Sequence, residues 1–117
     1  MEIARYETGP RLSRAVTHNG VAYLAGIVSD QPKGKSTAEQ TGEILAQVDL
    51  LLAKSGSDKG RLLSANIWLT DMANFQEMNS VWEAWLPQGT APARATVQAT
   101  LASADRKVEI MVIAATT

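Results

Sequence analysis

Alternating apolar and polar residues near the start of the chain predict a β-hairpin. Residues 14–18 and 21–26 flank Asn19 and Gly20. Both central residues of a type I′ turn need a positive φ, and Asn and Gly tolerate this conformation best. A shorter strand is expected at residues 3–6, so the chain should open with three strands.

The most regular helical pattern follows a loop predicted at residues 29–35, which are rich in turn formers and charge. Ser36 and Glu39 match a capping box, in which the hydroxyl and the carboxylate satisfy backbone N–H groups at the helix start. Apolar residues then recur at helical spacing on one face: Ile44, Leu45, Val48, Leu51 and Leu52. Lys54 falls in the last turn, and Gly56 is expected to end the helix.

A second helix is predicted between residues 71 and 87. Asp71 or Asn74 is the expected N-cap, and Pro87 and Gly89 are expected to end the helix. Its apolar side consists of Phe75, Met78, Trp82 and Trp85. We interpret these aromatic residues as part of a core or an interface, because their spacing is that of a helix stripe.

Three other segments have the pattern of strands. Residues 61–69 alternate, and one predicted face is formed by Leu63, Ala65, Ile67 and Leu69. Residues 93–101 also alternate, whereas residues 108–115 are almost continuously apolar. The last strand must be covered on both faces, so we expect it either in the centre of the sheet or against another chain.

The element order indicates an α+β fold in which both helices pack on one face of a mixed sheet. Residues 1–117 are expected to form a single domain. The opposite face would lack helices and carry one of two sets from the strand at 93–101. The first set is Arg94, Thr96, Gln98 and Thr100, and the second is Ala93, Ala95, Val97, Ala99 and Leu101. With Met111 and Ile113 beside it, this face favours burial in a homo-oligomer.

Composition and charge exclude several kinds of function. The 117 residues include 11 Lys plus Arg, 12 Asp plus Glu, one His and no Cys. Without Cys there is no disulfide, iron–sulfur cluster, thiolate zinc site or Cys nucleophile, and one His leaves little for a metal site or a Ser-His-Asp triad. The net charge of −1 argues against a dedicated nucleic-acid binder.

The same sequence contains no sign of a membrane protein. No apolar run approaches the roughly 20 residues of a membrane span, and no leader-like segment opens the chain. We therefore expect a cytoplasmic protein with no membrane partner.

Two charged residues interrupt apolar strands and are the strongest candidates for chemistry. Arg94 lies among Ala, Thr and Val residues, where a guanidinium needs a carboxylate or phosphate, or a path to water. It is either structural or a clamp for a substrate carboxylate. Glu109 interrupts residues 108–115, where it either pairs with a cation or has a raised pKa suited to proton transfer. The residue pattern leaves these alternatives open.

Several segments together resemble the YjgF/RidA family. The most specific is Ala91-Pro-Ala-Arg-Ala-Thr-Val97, followed fifteen residues after its arginine by Glu109. Residues 20–26 are similar to the family's hairpin strand, residues 51–56 to its first-helix exit and residues 75–79 to the start of its second helix. The resemblance runs in the family's order from about residue 5 to residue 115.

The resemblance implies a chorismate-mutase-like fold and a homotrimer with three clefts between its subunits. It also implies a 2-imino (2-enamino) acid deaminase whose partners are small 2-imino or 2-oxo carboxylic acids and which requires no cofactor and no metal. Imines already hydrolyse in water, so this chemistry needs an anchor and a group that handles water and protons.

The resemblance also assigns roles to individual residues. Arg94 matches the arginine that binds the substrate carboxylate, and Glu109 matches the carboxylate that positions or activates water. Gly26 falls where strand backbone lines the pocket, Asn79 matches a polar residue near it, and Thr96 occupies a position that is often Cys.

Two further positions depart from the family archetype. Leu12 replaces a Tyr, so the role of that phenol does not transfer, and Ala25 replaces a Ser. With Thr96 in place of Cys, these changes indicate a more apolar pocket with different side-chain selectivity, or a site that binds without turnover. A non-catalytic binder of small carboxylates is therefore the alternative function, and the ribonuclease or chaperone-like roles of some relatives are a third.

The spacing of the two charged residues raises a geometric difficulty. If the last two strands formed a plain hairpin, Glu109 would face Thr100, and Arg94 would lie about 20 Å away. Either the two strands do not pair in this way, or a neighbouring subunit completes the pocket.

Overall fold

The computed structural model describes residues 2–117, which form one mixed sheet and two helices. The strands follow one another in the order β1-β2-β3-β7-β5-β6, and β4 pairs with β7 in line with β3. The strands are β1 (Ala4–Thr8), β2 (Ser13–His18), β3 (Val21–Leu24), β4 (Ile27–Val28), β5 (Leu62–Leu69), β6 (Ala93–Gln98) and β7 (Val108–Ala115). The helices are α1 (Thr37–Lys54) and α2 (Phe75–Trp85). The predicted α+β class is confirmed.

The predicted hairpin forms between β2 and β3. His18 pairs with Val21 across the turn, and Asn19 and Gly20 have φ values of 52° and 77°. Both values lie in the left-handed region that a type I′ turn requires. β1 pairs antiparallel with β2 and extends this ribbon to the edge of the sheet.

Helix α1 begins and ends where its sequence predicts. The Ser36 hydroxyl accepts a hydrogen bond from the Glu39 N–H, and the Glu39 carboxylate accepts one from the Ser36 N–H. Gly56, with φ of 79°, follows the last turn. The predicted stripe is buried: Ile44, Leu45, Val48, Leu51 and Leu52. Neither helix of the described chain has the length and apolar character needed to cross a membrane.

A short 3-10 turn precedes helix α2. The Asp71 carboxylate accepts a hydrogen bond from the Ala73 N–H and caps this turn (Met72–Asn74). Asn74, the other candidate cap, has no side-chain capping bond. The predicted apolar stripe of α2 faces inward, with Met78 and Trp82 buried and Phe75 and Trp85 packed against the core.

One predicted strand face is wrong at its first residue. Leu63 was expected to face the core with Ala65, but Leu62 is buried and Leu63 is 49% exposed. The reason is a β-bulge, because Leu62 pairs with Ala114 whereas Ser64 pairs with Ile113. The extra residue on β5 reverses the alternation at that point.

The final two strands do not pair with each other. β5 lies between them, parallel to β6 and antiparallel to β7. Strand β7 therefore occupies the centre of the sheet, as one of the two predicted placements required, while β6 forms an edge.

Both helices cover one face of this sheet, and the core lies between the two layers. The buried strand residues alternate, so each strand presents its other face away from the helices. The core consists of Ala15, Ala22, Leu24, Ile27, Ile44, Leu45, Val48, Leu51, Leu52, Leu62, Ala65, Ile67, Leu69, Met78, Trp82, Val108, Ile110, Val112 and Ala114.

The opposite sheet face, here called the bare face, is covered by neither helix. Of the two sets considered for β6, Ala93, Ala95 and Val97 lie on it, because they pair with the outward residues of β5. Val97 is 50% exposed, and Tyr23 on β3 is 45% exposed. Arg94, Thr96 and Gln98 instead lie on the helix-covered side.

Candidate functional site

Arg94 lies on the helix-covered side of the edge strand β6. It pairs with Ala65, which is buried beneath the helices, so its side chain points to the same face. The guanidinium carbon Cζ lies 5.8 Å from the ring centre of Phe75 and 5.8 Å from that of Trp82. Both rings belong to α2, and their faces hold the planar cation at the edge of the sheet by cation–π contact.

No carboxylate of residues 2–117 forms a salt bridge with this half-buried guanidinium. Burial lowers the pKa of Arg94, and the charge of Glu83 opposes this effect. Because arginine titrates above about pH 12, the group stays cationic at neutral pH. Among the described residues the charge therefore has no ion-pair partner, which leaves it available to an anionic ligand.

Thr96 and Asn79 lie beside this cation. Thr96 follows Arg94 by two residues on β6 and shares its face. Asn79 lies between Phe75 and Trp82 along α2, at the spacing that puts all three on one flank of a helix. The buried oxygens Thr96 Oγ1 and Asn79 Oδ1 have no hydrogen-bond partner within residues 2–117. We call Arg94, Thr96, Asn79, Phe75 and Trp82 the cation half of the site.

Glu109 lies on the bare face, next to Gly26. A Cβ atom built on Gly26 would lie 2.1 Å from Glu109 Oε2, so a larger residue here would force this carboxylate to move. The backbone at Ala25 and Gly26 forms a bulge, because Tyr23 pairs with Ile113 but Ile27 pairs with Ile110, one residue out of step. Glu109 takes part in no salt bridge among the described residues.

Leu12 lies at the same end of the sheet as this bulge. It is 56% exposed and lines an open depression of about 290 Å³ in the β1–β2 connection. The Arg14 carbonyl, two residues on, accepts a hydrogen bond of 2.9 Å from the Ala25 N–H. We call Glu109, Gly26, Ala25 and Leu12 the carboxylate half of the site.

The two halves do not meet within one chain. Arg94 is in register with Ala65 and Glu109 with Trp68, which are three residues apart on β5 and face opposite sides of the sheet. The two Cα atoms are therefore about 14 Å apart by strand geometry, with the sheet between their side chains. The predicted residues thus form two separate groups, Arg94 with Thr96 and Asn79, and Glu109 with Gly26.

The contact of Phe75 and Trp82 with Arg94 is the part of the site that sequence reasoning missed. The spacing of Phe75 and Trp82 matches an apolar helix stripe and predicts a place in a core or an interface. Both do pack on the core, and they also carry the guanidinium of Arg94. The only signal was an unpaired Arg in a strand that follows an aromatic helix.

Comparisons with known proteins give a consistent result. The sequence model of the family described as Endoribonuclease L-PSP matches residues 3–116. A RutC family protein from Haemophilus influenzae is 43% identical over 97% of this chain and 98% of its own length. Reactive Intermediate Deaminase A, chloroplastic, from Arabidopsis thaliana is 29% identical over 87% of this chain and 57% of its own length.

A solved structure extends the similarity to the fold. The crystal structure of a member of the YjgF protein family from Neisseria meningitidis is 46% identical to this chain, with a TM-score of 0.96. The match covers 100% of this chain and 97% of that chain. The arrangement of the sheet and both helices thus belongs to a known architecture.

Proposed function

This chain belongs to the YjgF/RidA family, and from that premise we propose that it is a deaminase that hydrolyses 2-imino acids. The products are a 2-oxo acid and ammonia, and the reaction consumes one water. One relative, from Arabidopsis thaliana, is named a reactive intermediate deaminase. The other support comes from the residues of the two halves.

The observation that carries the proposal is the unpaired guanidinium of Arg94. A 2-imino acid has one fixed negative charge, and a guanidinium can donate two parallel hydrogen bonds to the two oxygens of a carboxylate. Phe75 and Trp82 restrict the plane of the guanidinium, which reduces the entropy lost when a ligand binds. The carboxylate anchor then fixes the position of the neighbouring C=N carbon.

Glu109 is the group proposed to handle water and protons. Water adds its oxygen to the imine carbon while one proton passes to the imine nitrogen, which gives a tetrahedral carbinolamine. Loss of the nitrogen as ammonia, with the hydroxyl proton transferred to it, re-forms a C=O bond. One carboxylate can receive and return these protons, a contribution of about 10²–10⁴ in rate.

A second copy of the chain is needed to bring the two halves together. Within one chain the sheet separates Arg94 from Glu109, whereas the cation half lies at the open edge formed by β6. The bare face carries Val97 and Tyr23 exposed, together with Met111 and Ile113 half-buried, as expected of a contact surface. We therefore propose that a homotrimer forms pockets from the cation half of one protomer and the carboxylate half of its neighbour.

The proposed ligands are small 2-imino and 2-oxo carboxylic acids. In this proposal Leu12 and Ala25 line the part of the pocket that receives the side chain of the substrate. Both residues are apolar, so we expect apolar substrates to be favoured over hydroxylated ones. We do not extend the ribonuclease name of the matching family model to this chain, because its net charge of −1 gives little attraction for a polyanion.

Ammonia release from imino acids tests this function directly. The imino acids are generated in the assay by oxidation of small, branched and aromatic amino acids, and the wild-type chain should accelerate ammonia release from some of them. We expect Arg94→Ala to lower kcat/KM by about 100-fold or more, because bidentate charged hydrogen bonds are lost. Arg94→Lys should be intermediate, since it keeps the charge and loses the fork.

Arg5→Lys is the matched control, because Arg5 is an exposed arginine on β1 at the other edge of the sheet. It should leave the rate unchanged. Full activity in folded Arg94→Ala would refute the assignment. Binding of 2-oxo acids without turnover of any imine would support the alternative, a non-catalytic binder of small carboxylates.

A further inference from the structure

Two buried oxygens of the cation half have no hydrogen-bond partner in the described chain. Asn79 is only 8% exposed, yet its Oδ1 has no donor, and the buried Thr96 Oγ1 is also unpartnered. Buried polar atoms are nearly always hydrogen-bonded, and one left without a partner is destabilising. Two such atoms beside one unpaired cation indicate a place built to receive another polar molecule.

The neighbours of Asn79 on its own helix face do not bond to this oxygen. Gln76 and Trp82, three residues away on either side, both carry N–H groups, but neither donates to Asn79 Oδ1 within residues 2–117. Arg94 lies over the rings of Phe75 and Trp82, and no hydrogen bond joins it to Asn79 within residues 2–117. An amide oxygen accepts hydrogen bonds and cannot donate them.

We propose that Asn79 makes the cation half selective for carboxylates that carry a hydrogen-bond donor on the carbon next to the carboxylate. This inference deepens the proposed function and rests on Arg94 as the carboxylate anchor. In this proposal the fork of Arg94 holds the carboxylate, and the substituent on the adjacent carbon faces the flank that carries Asn79 and Thr96. Asn79 is thus a specificity-determining residue, and Thr96 supports it.

The consequence for the reaction is a difference between substrate and product. An imine or iminium nitrogen carries N–H and can donate to Asn79 Oδ1, whereas the carbonyl oxygen of a 2-oxo acid only accepts. Replacing the nitrogen by oxygen therefore removes the donor and leaves the Asn79 oxygen unpaired again. A site built around a required hydrogen bond rejects the analogue that lacks it, so hydrolysis itself favours release of the product.

Stable ligands of equal size test this selectivity without any turnover. Calorimetry with the whole protein would compare 2-hydroxybutanoate, which has a donor, with 2-oxobutanoate, which has only an acceptor, and butanoate, which has neither. We expect 2-hydroxybutanoate to bind about tenfold more tightly than 2-oxobutanoate, the value of one net hydrogen bond. In Asn79→Leu this ratio should fall to about one, mainly through weaker binding of the hydroxy acid.

Ser80→Ala provides the control, because Ser80 is the next residue on α2 and its exposed hydroxyl bonds only to the Gln76 carbonyl. It should keep the tenfold ratio. Thr96→Val, which removes a hydroxyl at constant shape, should reduce the ratio and gives a second test if Asn79→Leu fails to fold.

The inference would be overturned by equal binding of the hydroxy and oxo acids to the wild type or by a preference for the oxo acid. A ratio that stays unchanged in both folded variants would overturn it as well. A change of oligomeric state in Asn79→Leu with an unchanged ratio would also contradict it, since Asn79 would then be bonded to a neighbouring chain. Because only binding is measured, failure of the deaminase proposal appears separately, as absent ammonia release.

Discussion

At the scale of single residues, Gly26 is the glycine at which a side chain would come closest to another residue. Its backbone forms the bulge between β3 and β4, and the Glu109 carboxylate occupies the space of a missing Cβ. Neither fact depends on an unusual φ, because Gly26 is not among the residues with positive φ. The glycine thus allows the close approach of the Glu109 side chain, and its substitution should act mainly through Glu109.

Gly26→Ala should lower kcat by at least about tenfold while the affinity for 2-oxo acids changes little. The new methyl group would displace the Glu109 carboxylate, which handles water, and leave the Arg94 anchor intact. Steady-state kinetics and calorimetry with 2-oxobutanoate measure the two effects.

Gly42→Ala is the matched control for this substitution. Gly42 lies in α1, and a Cβ there would meet no atom within 4 Å. It should leave kcat unchanged. It should also raise the free energy of unfolding by up to about 1 kcal/mol, since alanine favours a helix more than glycine does. Equal kcat for the Gly26 variant and the wild type would argue against Glu109 as the water-handling group.

The sequence was sufficient to identify Arg94 and Glu109 as unusual, because a charge inside an apolar strand is rare and costly. It did not reveal that the two lie on opposite faces of the sheet, since that depends on β5 being inserted between β6 and β7. The unpartnered oxygens of Asn79 and Thr96 also needed coordinates, because a polar residue on a helix gives no sign of its burial.

At the scale of elements, the loop between β4 and α1 is held by one carboxylate. Glu43 on α1 accepts hydrogen bonds from the Ser29 hydroxyl and the Asp30 N–H, both at 2.8 Å, and pairs with Lys35. Lys35 and these two bonds lower the pKa of Glu43 to about 2. Gln40, one turn earlier, ties the same loop to the segment before β7 through the Asp105 carbonyl and the Lys107 N–H.

Glu43→Gln should lower the free energy of unfolding at pH 7 by about 1–2 kcal/mol, the value of charged hydrogen bonds. The folded-state pKa is lowered, so the stabilisation by Glu43 is present above its ordinary pKa of about 4.5 and is lost as the pH falls toward 2. Denaturant unfolding between pH 7 and pH 3 should therefore show the variant and the wild type converging in acid.

Glu2→Gln controls for the loss of a negative charge, because the exposed Glu2 carboxylate forms no salt bridge in the part of the chain described here. It should leave the pH dependence as in the wild type. If the free energies of unfolding of Glu43→Gln and the wild type differ by the same amount across this pH range, Glu43 is not the cause of the stability lost in acid.

The boundaries of α1 could be predicted because they depend on local chemistry, namely the capping box at Ser36 and the glycine at position 56. The face of β5 could not be predicted throughout. Leu62 and Leu63 are identical residues, and only the bulge against Ala114 decides which one is buried. Register in a sheet is set by the partner strand, which the alternation of a single strand does not identify.

At the scale of the whole molecule, the central expectation is that copies associate through the bare face. Light scattering should give a mass three times the 12.5 kDa of one chain. Val97→Asp should lower that mass toward 12.5 kDa and abolish turnover, because a charge in an apolar interface is costly and the two halves would separate.

Leu50→Asp gives the matched control, because Leu50 is 73% exposed on the outer side of α1. It should leave both mass and activity unchanged. A wild-type mass of 12.5 kDa at micromolar concentration would refute the oligomer, and full activity of a monomeric Val97→Asp would refute a site shared between copies.

The placement of Arg94 and Glu109 on opposite sides of one sheet has a genetic consequence if pockets are shared as proposed. Each gene product then supplies the anchor for one neighbour and the proton carrier for another. In a cell that expresses two alleles, mixed assemblies would contain pockets formed by one product of each allele. A mutation that inactivates the cation half in one allele would be partly complemented by a mutation that inactivates the carboxylate half in the other allele. Two mutations in the same half would not complement each other.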